Sequence, residues 1–258
     1  MSFLSEILAV KREEIREAKS RIPEGALLSG SLPARKDFLA GLKQEGLAVI
    51  AEVKRASPSK GPLAPGLDLQ KLVGQYQEGG AAAVSVLTDK RFFGGGLDDL
   101  RRARQATELP LLRKDFIIDP YQVAEASHAG ADAILLIVAC LEQAQLRELL
   151  SAARDLSLGA LVETHTRAEL ERALELNVEA VGINNRDLHT FQVDLDTTLQ
   201  LLPIVPDGIV VVAESGIKGP KEAETLAKAG VDAILVGEAL VKSADPAAAI
   251  KELRLLKF

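Results

Sequence analysis

Gly130-Ala-Asp-Ala-Ile-Leu-Leu-Ile-Val138 is the stretch on which the fold turns. Its first residue suits a left-handed helix cap. From Ala133 onward it is apolar without alternation, as a parallel strand covered on both faces requires. The junction recurs at Gly80-Ala-Ala-Ala83, Asn177-Val-Glu-Ala180 and Gly230-Val-Asp-Ala233. These echoes lie about 50 residues apart, so with every second junction marked each strand–helix unit takes about 25 residues. Four marked junctions imply eight units, which predicts an α/β protein of the (β/α)8 TIM-barrel type. An open doubly wound sheet is the competitor, but it rarely needs eight regular units, and no G-x-G-x-x-G follows a strand.

Outward from that junction, strands are expected near 47–54, 82–88, 109–115, 132–138, 158–163, 179–185, 208–214 and 232–237. Helices are expected near 69–78, 97–107, 119–128, 141–155, 166–175, 195–201 and 219–229, with a last one ending near Leu255. Residues 3–20 read as an amphipathic helix ended by Pro23, with Phe3, Leu4, Ile7, Leu8 and Ile15 apolar and Lys11, Arg12, Glu13 and Glu14 on the wet side. A short helix at 36–42, closed by Gly46, follows. The expected organisation is one barrel domain over 1–258, of which 1–46 is a helical extension acting as a lid or plug.

Composition narrows the function. The chain has 258 residues, 47% of them apolar, enough for one sizeable core. A net charge of −6 argues against a dedicated nucleic-acid binder. Cys140 is the only cysteine, so no internal disulfide or Cys-rich metal site is available. The three histidines, His128, His165 and His189, lack metal-ligand spacing and read as surface or loop residues. No apolar run is long enough to span a bilayer, and no signal peptide is evident at the start. A cytoplasmic protein, monomeric and without membrane or nucleic-acid partners, is expected.

The strand ends carry the chemistry. In a barrel of this type the active site lies at the C-terminal ends of the strands. Those ends supply Glu52 and Lys54, Thr88 and Asp89, Lys114 and Asp115, Glu163, Asn184 with Asn185 and Arg186, Glu214 with Ser215, and Gly237. Glu52 and Lys54 are two residues apart and share a strand face. Lys54, Lys114 and Arg186 converge in an otherwise acidic chain and suit an anionic substrate. Glu214-Ser215-Gly216 and Gly237 fit a phosphate site after strands seven and eight, with the Glu238 carboxylate expected to point away. Phe92, Phe93 and Phe116 stand at the mouth, either as loop anchors or as a wall for a flat aromatic group. Lys54 and Lys114, both on odd strands, are expected to share a layer and approach one another, lowering the pKa of at least one.

Ile50-Ala-Glu-Val-Lys-Arg-Ala-Ser-Pro-Ser-Lys-Gly61, Val86-Leu-Thr-Asp-Lys-Arg-Phe-Phe-Gly94, Leu112-Arg-Lys-Asp-Phe116, Leu161-Val-Glu-Thr-His165, Gly182-Ile-Asn-Asn-Arg-Asp-Leu188 and Glu214-Ser-Gly-Ile217 together resemble the indole-3-glycerol phosphate synthases. The resemblance covers the whole chain, N-terminal helices included. It implies cofactor-free ring closure and decarboxylation of 1-(2-carboxyphenylamino)-1-deoxyribulose 5-phosphate to indole-3-glycerol phosphate, carbon dioxide and water, a step of tryptophan biosynthesis. It implies Lys114 as general acid, Glu163 as general base, and Lys54 on the substrate carboxylate, with Glu52, Asn184 and Arg186 completing the catalytic set. Ser215, Gly216 and Gly237 would hold phosphate beside Glu238. Ser57, Pro58, Phe93, Phe116, Leu135 and Leu188 would complete the substrate pocket. No metal is implied. The chain departs from many relatives at Gly96, where they carry Ser, and in having no Trp. Two rivals remain on the same barrel: a Schiff-base aldolase using Lys54 or Lys114, and a non-catalytic phosphate-ligand sensor.

Overall fold

Eight parallel strands close into a barrel in the computed structural model: β1 Ala48–Val53, β2 Ala83–Leu87, β3 Leu111–Lys114, β4 Ala133–Ile137, β5 Gly159–Thr164, β6 Ala180–Asn184, β7 Val210–Glu214 and β8 Ala233–Val236. The structure describes residues 3–254 except 30–33, 45, 59, 65 and 189. Every strand lies within two residues of its expected bounds at each end. The marked junctions take the backbone predicted for them: φ is +79° at Gly80, +89° at Gly130, +51° at Asn177 and +99° at Gly230. Between the strands run the helices Leu69–Gly79, Leu97–Ala106, Pro120–His128, Gln143–Asp155, Arg167–Leu174, Asp196–Leu201 and Pro220–Ala229. Pro246–Arg254 follows β8; Leu255, where its end was expected, lies outside the described residues.

The register stacks the inward side chains in layers of four from alternate strands. Ala83, Ala133, Ala180 and Ala233 form the lower layer from the even strands. These are the closing alanines of the four sequence echoes. Their small side chains leave room at the barrel's floor, and Phe38 and Leu42 of the Phe38–Leu42 helix fill it, buried against them. That short helix is therefore the plug. It is closed by Lys43, three residues before the expected cap at Gly46. Above the alanines come Ile50, Leu112, Leu161 and Val212, then Ser85, Leu135, Gly182 and Leu235. The next layer is Glu52, Lys114, Glu163 and Glu214, where the apolar core ends and the site begins.

The Phe3–Arg21 helix lies across the upper mouth. Phe3 packs edge-on between Phe92, 5.6 Å away, and Phe191, 5.5 Å away, tying the helix to the loops after β2 and β6. Phe92 is thus a loop anchor. Lys11 corrects the expected wet face: its side chain is only 4% exposed, with Nζ 2.8 Å from Asp89 and 2.9 Å from Asp115. Thr88 and Arg113 also bind Asp115, at 2.6 and 3.1 Å. Thr88, Asp89 and Asp115 therefore hold the lid helix down; the period-two alternation that turns Lys114 inward turns Asp115 away. Helical turns at Glu24–Leu27, Lys90–Phe93 and Glu238–Val241 and a hairpin pairing Ala56–Ser57 with Gly61–Pro62 were not anticipated from sequence. They are too short for periodicity to mark them.

Loss of the Lys11 cation leaves the buried Asp89 carboxylate without a cation and Asp115 with Arg113 and Thr88 alone. Lys11→Met is expected to destabilise the protein by about 3–5 kcal/mol, read from denaturant unfolding; a change below about 1 kcal/mol would show the pair contributes no more than a surface one. Burial alone would raise the Asp115 pKa, but Lys11, Arg113 and Thr88 outweigh it and bring it down to about 2. Its contribution is therefore present above the ordinary carboxylate range and lost as pH falls toward 2.

Candidate active site

The upper mouth holds a cavity of about 590 Å³. Glu52, Lys54, Lys114, Glu163, Asn184 and Arg186 all line it, as do Ser57, Pro58, Phe93, Phe116, Leu135, Leu188, Ser215, Gly216, Gly237 and Glu238. Phe3, Leu4 and Ile7 of the lid helix form part of its wall. The sixteen residues named from sequence are thus brought together.

The polar floor is the layer Glu52, Lys114, Glu163 and Glu214. Lys114 Nζ lies 3.2 Å from Glu163 Oε2 and 3.2 Å from Glu214 Oε2. Burial alone would lower the Lys114 pKa, but Glu163, Glu214 and Glu52 outweigh it and hold the ammonium well above its ordinary range. This reverses the expectation from sequence. Lys54 lies higher, beyond the level of Asn184 and Gly237, pairs with Glu52 at 3.4 Å, and stands 5.5 Å over the Phe93 ring. The neighbours of Lys114 are carboxylates, and like-charge repulsion between the lysines is not what sets its titration. Burial would likewise raise Glu163; Lys114, His165 and Asn184 outweigh it and hold Glu163 well below the usual carboxylate range. Burial, with Glu163 and Glu52, pushes Glu214 up to about 7 against the pull of Lys114. The floor therefore sets a carboxylate held low, Glu163, beside one pushed up, Glu214.

Two glycines make this layer possible. A Cβ at Gly182 would overlap the Glu214 carboxylate, and a Cβ at Gly237 would overlap Glu52 Oε1 and come within 3.1 Å of its Cδ. Gly237 thus has a reason of its own beyond any ligand.

Asn184 Nδ2 donates to Glu163 Oε1 at 3.1 Å, and its Oδ1 accepts from the Arg186 backbone at 3.0 Å. Asn185 faces away; its Nδ2 donates to the Ser215 carbonyl and its Oδ1 accepts from Thr198. Ser215 and Gly216 are consecutive left-handed residues, φ +64° and +86°. The Glu238 carboxylate is held by Lys60 at 2.7 Å and Lys242 at 2.8 Å. Lys218 lines the same end. The other end is apolar: Phe93 and Phe116 sit 6.3 Å apart at a tilt, with Leu135 and Leu188 on the same wall.

Sequence reading took His165 as a surface or loop residue; it does lie in the loop after β5, but it is not on the surface. Its side chain is 8% exposed, with Nε2 3.2 Å from Glu163 Oε1 and Nδ1 3.2 Å from Glu169 Oε2. His128, by contrast, is exposed, and its Nδ1 lies 3.1 Å from the Leu27 carbonyl. His189 lies outside the described residues. Glu214 was read as part of a phosphate loop, and its contact with Lys114 was missed. Period-two parity could have found Glu214, since it continues Val210 and Val212; His165 lies past the end of β5, where that parity no longer applies. Lys60, Lys218 and Lys242 left no periodic signal. Among the described residues no cluster of three or more His, Cys, Asp or Glu side chains could hold a metal ion.

A family model described as Indole-3-glycerol phosphate synthase matches residues 4–253. An indole-3-glycerol phosphate synthase of Kineococcus radiotolerans is 47% identical over 260 residues, covering 98% of this chain and 95% of that protein. One from Polaromonas sp. (strain JS666) is 49% identical over 257 residues, covering 97% of each. Among solved structures, a 3-hexulose-6-phosphate synthase superposes with a TM-score of 0.65 at 17% identity, covering 81% of this chain and 98% of that one. A thiamine phosphate pyrophosphorylase from Pyrococcus furiosus does so with 0.62 at 19% identity, covering 85% and 97%. At such identities the structural likeness concerns the fold alone.

Proposed function

The chain belongs to the indole-3-glycerol phosphate synthase family, and on that premise we propose how its residues divide the reaction. The enzyme is a decarboxylating, ring-closing lyase acting on a phosphorylated small molecule, 1-(2-carboxyphenylamino)-1-deoxyribulose 5-phosphate. We take it to work as a cytoplasmic monomer. The observation that carries the assignment is the position of Lys114 between Glu163 and Glu214 on the floor of the cavity.

Ring closure needs a proton delivered to the ketone oxygen as the aryl carbon attacks. Lys114 enters as an ammonium and supplies it as general acid. The hydroxyl formed at ring closure then leaves, taking up a proton to become water, and Glu163 is the general base that takes the carbon-bound proton lost as the new ring becomes aromatic. Asn184 aims it, and Glu52 and Arg186 complete the polar wall. Lys54 stands between Glu52 and the Phe93 ring, where a carboxylate on a ring stacked in the aromatic end would meet it. Decarboxylation then leaves the ring neutral. A Schiff-base lysine needs a free amine; the ammonium held between two carboxylates supports acid catalysis in its place.

Phosphate binding falls to Ser215, Gly216, Gly237 and the backbone N–H of Glu238. Lys60 and Lys242 neutralise the Glu238 carboxylate beside it. Gly237→Val is expected to raise KM at least roughly tenfold, about 1.4 kcal/mol. Because the new Cβ also meets Glu52, kcat should fall with it. Unchanged substrate binding in a folded variant would move the phosphate elsewhere.

The direct test is a fluorescence assay for indole formation from the carboxyphenylamino substrate. Wild-type enzyme should generate the indole signal. A folded enzyme that binds the substrate without turning it over would favour a sensor.

A further inference from the structure

His165 sits behind the catalytic layer, outside the cavity wall. It lies two residues beyond Glu163, in the bend just after β5 ends at Thr164. Its backbone N–H donates to Glu169 Oε2 at 2.8 Å, and its Nδ1 lies 3.2 Å from that same oxygen. Glu169 is itself fixed in the first turn of the Arg167–Leu174 helix, where its N–H donates to the Thr166 N-cap hydroxyl. The imidazole therefore has one allowed place, and from it Nε2 reaches Glu163 Oε1 at 3.2 Å. Asn184 donates to that same oxygen at 3.1 Å, while Oε2 faces Lys114. Asn184 and Lys114 hold Glu163 by hydrogen bonds, whereas the buried His165 Nε2 stands at ion-pair distance from it without hydrogen-bond alignment.

We propose that His165 is a positioning residue for the ring-closing reaction: clamped between Glu169 and Glu163, it fixes the base carboxylate and tunes its basicity from the side the substrate does not reach. The inference rests on the assignment of Glu163 as base. The charges around the imidazole are consistent. It faces Glu163 on β5 and Glu169 on the following helix; Lys114 and Glu214 lie beyond Glu163. Cys140, on the 3-10 turn Val138–Cys140, has its thiol pushed up by burial and by Glu163 and Glu169, so it stays neutral and adds no charge. Burial alone would make the imidazole lose its proton; contacts with Glu163 and Glu169 outweigh burial and push its pKa up to about 10. His165 is then a cation throughout the neutral range. A cation beside Glu163 lowers the carboxylate pKa, so its loss raises that pKa. The base becomes stronger but is ionised over a narrower range, and it loses one of its three supports.

The experiment compares kcat against pH for wild type, His165→Gln and Glu163→Gln. In His165→Gln the acid limb of kcat should move up by about one pH unit or more. Its maximum should fall roughly tenfold with KM within about twofold. An acid limb that superimposes on the wild type would overturn the proposal and leave His165 a packing residue. Should Glu163→Gln keep its turnover, the assignment of the base has failed first, and the two failures are distinct. Nitrogen NMR of the wild-type histidines needs no His165 variant. One imidazole should remain doubly protonated at about pH 8, well past the ordinary range near 6.5, and Glu163→Gln should shift it back toward that range. Ordinary titration of every histidine would overturn the clamp.

Discussion

Lys114→Met is expected to lower kcat by roughly 10² or more and to leave KM nearly unchanged. The proton that Lys114 delivers is needed only as the ring closes, so its loss removes a transition-state interaction. KM is preserved because the carboxylates around Lys114 adjust. Without the ammonium, Glu163 and Glu214 no longer have a cation 3.2 Å away, so they take up protons more readily and do not repel an anionic substrate. The same reasoning gives a pH signature. Carboxylates whose pKa is raised in the folded state stabilise it below their unfolded values and lose that contribution as pH rises. The variant should therefore lose more stability than the wild type between about pH 5 and pH 8. Lys54→Met should instead act mainly on KM, because Lys54 grips a ground-state carboxylate. Steady-state kinetics on both folded variants separates the two. The opposite pattern would reverse the assignment, and small effects at both would overturn the site.

Glu163→Gln is expected to reduce turnover by roughly 10²–10⁴. Glutamine keeps the shape and can still meet Asn184, so the loss reports basicity. The Lys114 ammonium survives the change, because Glu214 still lies 3.2 Å away. Acid and base effects are thus separated by one substitution. A variant that retains most of its turnover would pass the role to another floor carboxylate, Glu52 or Glu214.

Most of the fold was legible in the chain because it is periodic. The left-handed caps at Gly80, Gly130, Asn177 and Gly230 are local requirements of the backbone, and the apolar strands are local requirements of burial on two faces. The site residues were legible for the same reason, since a barrel collects its strand ends at one mouth. Local rules failed wherever a residue's meaning depended on a distant partner. Lys11 looks solvent-facing on a helical wheel and is buried only because Asp89 and Asp115 await it. His165 looks like a surface residue until Glu163 and Glu169 stand on either side of it.

By itself, then, the order of residues determined eight strand–helix units, the inward parity of Glu52, Lys114 and Glu163, and the small alanines of the barrel floor. Only the closed barrel decided which charges share a layer. Closure staggers the strands, so Lys114 stands level with Glu52, Glu163 and Glu214, and Lys54 stands above that layer. Spacing along one strand carries no information about that stagger, which arises from the hydrogen-bond register summed around all eight strands. The stagger replaces an expected repulsion between two lysines with an attraction to carboxylates, and so sets the protonation state in which the acid and the base begin.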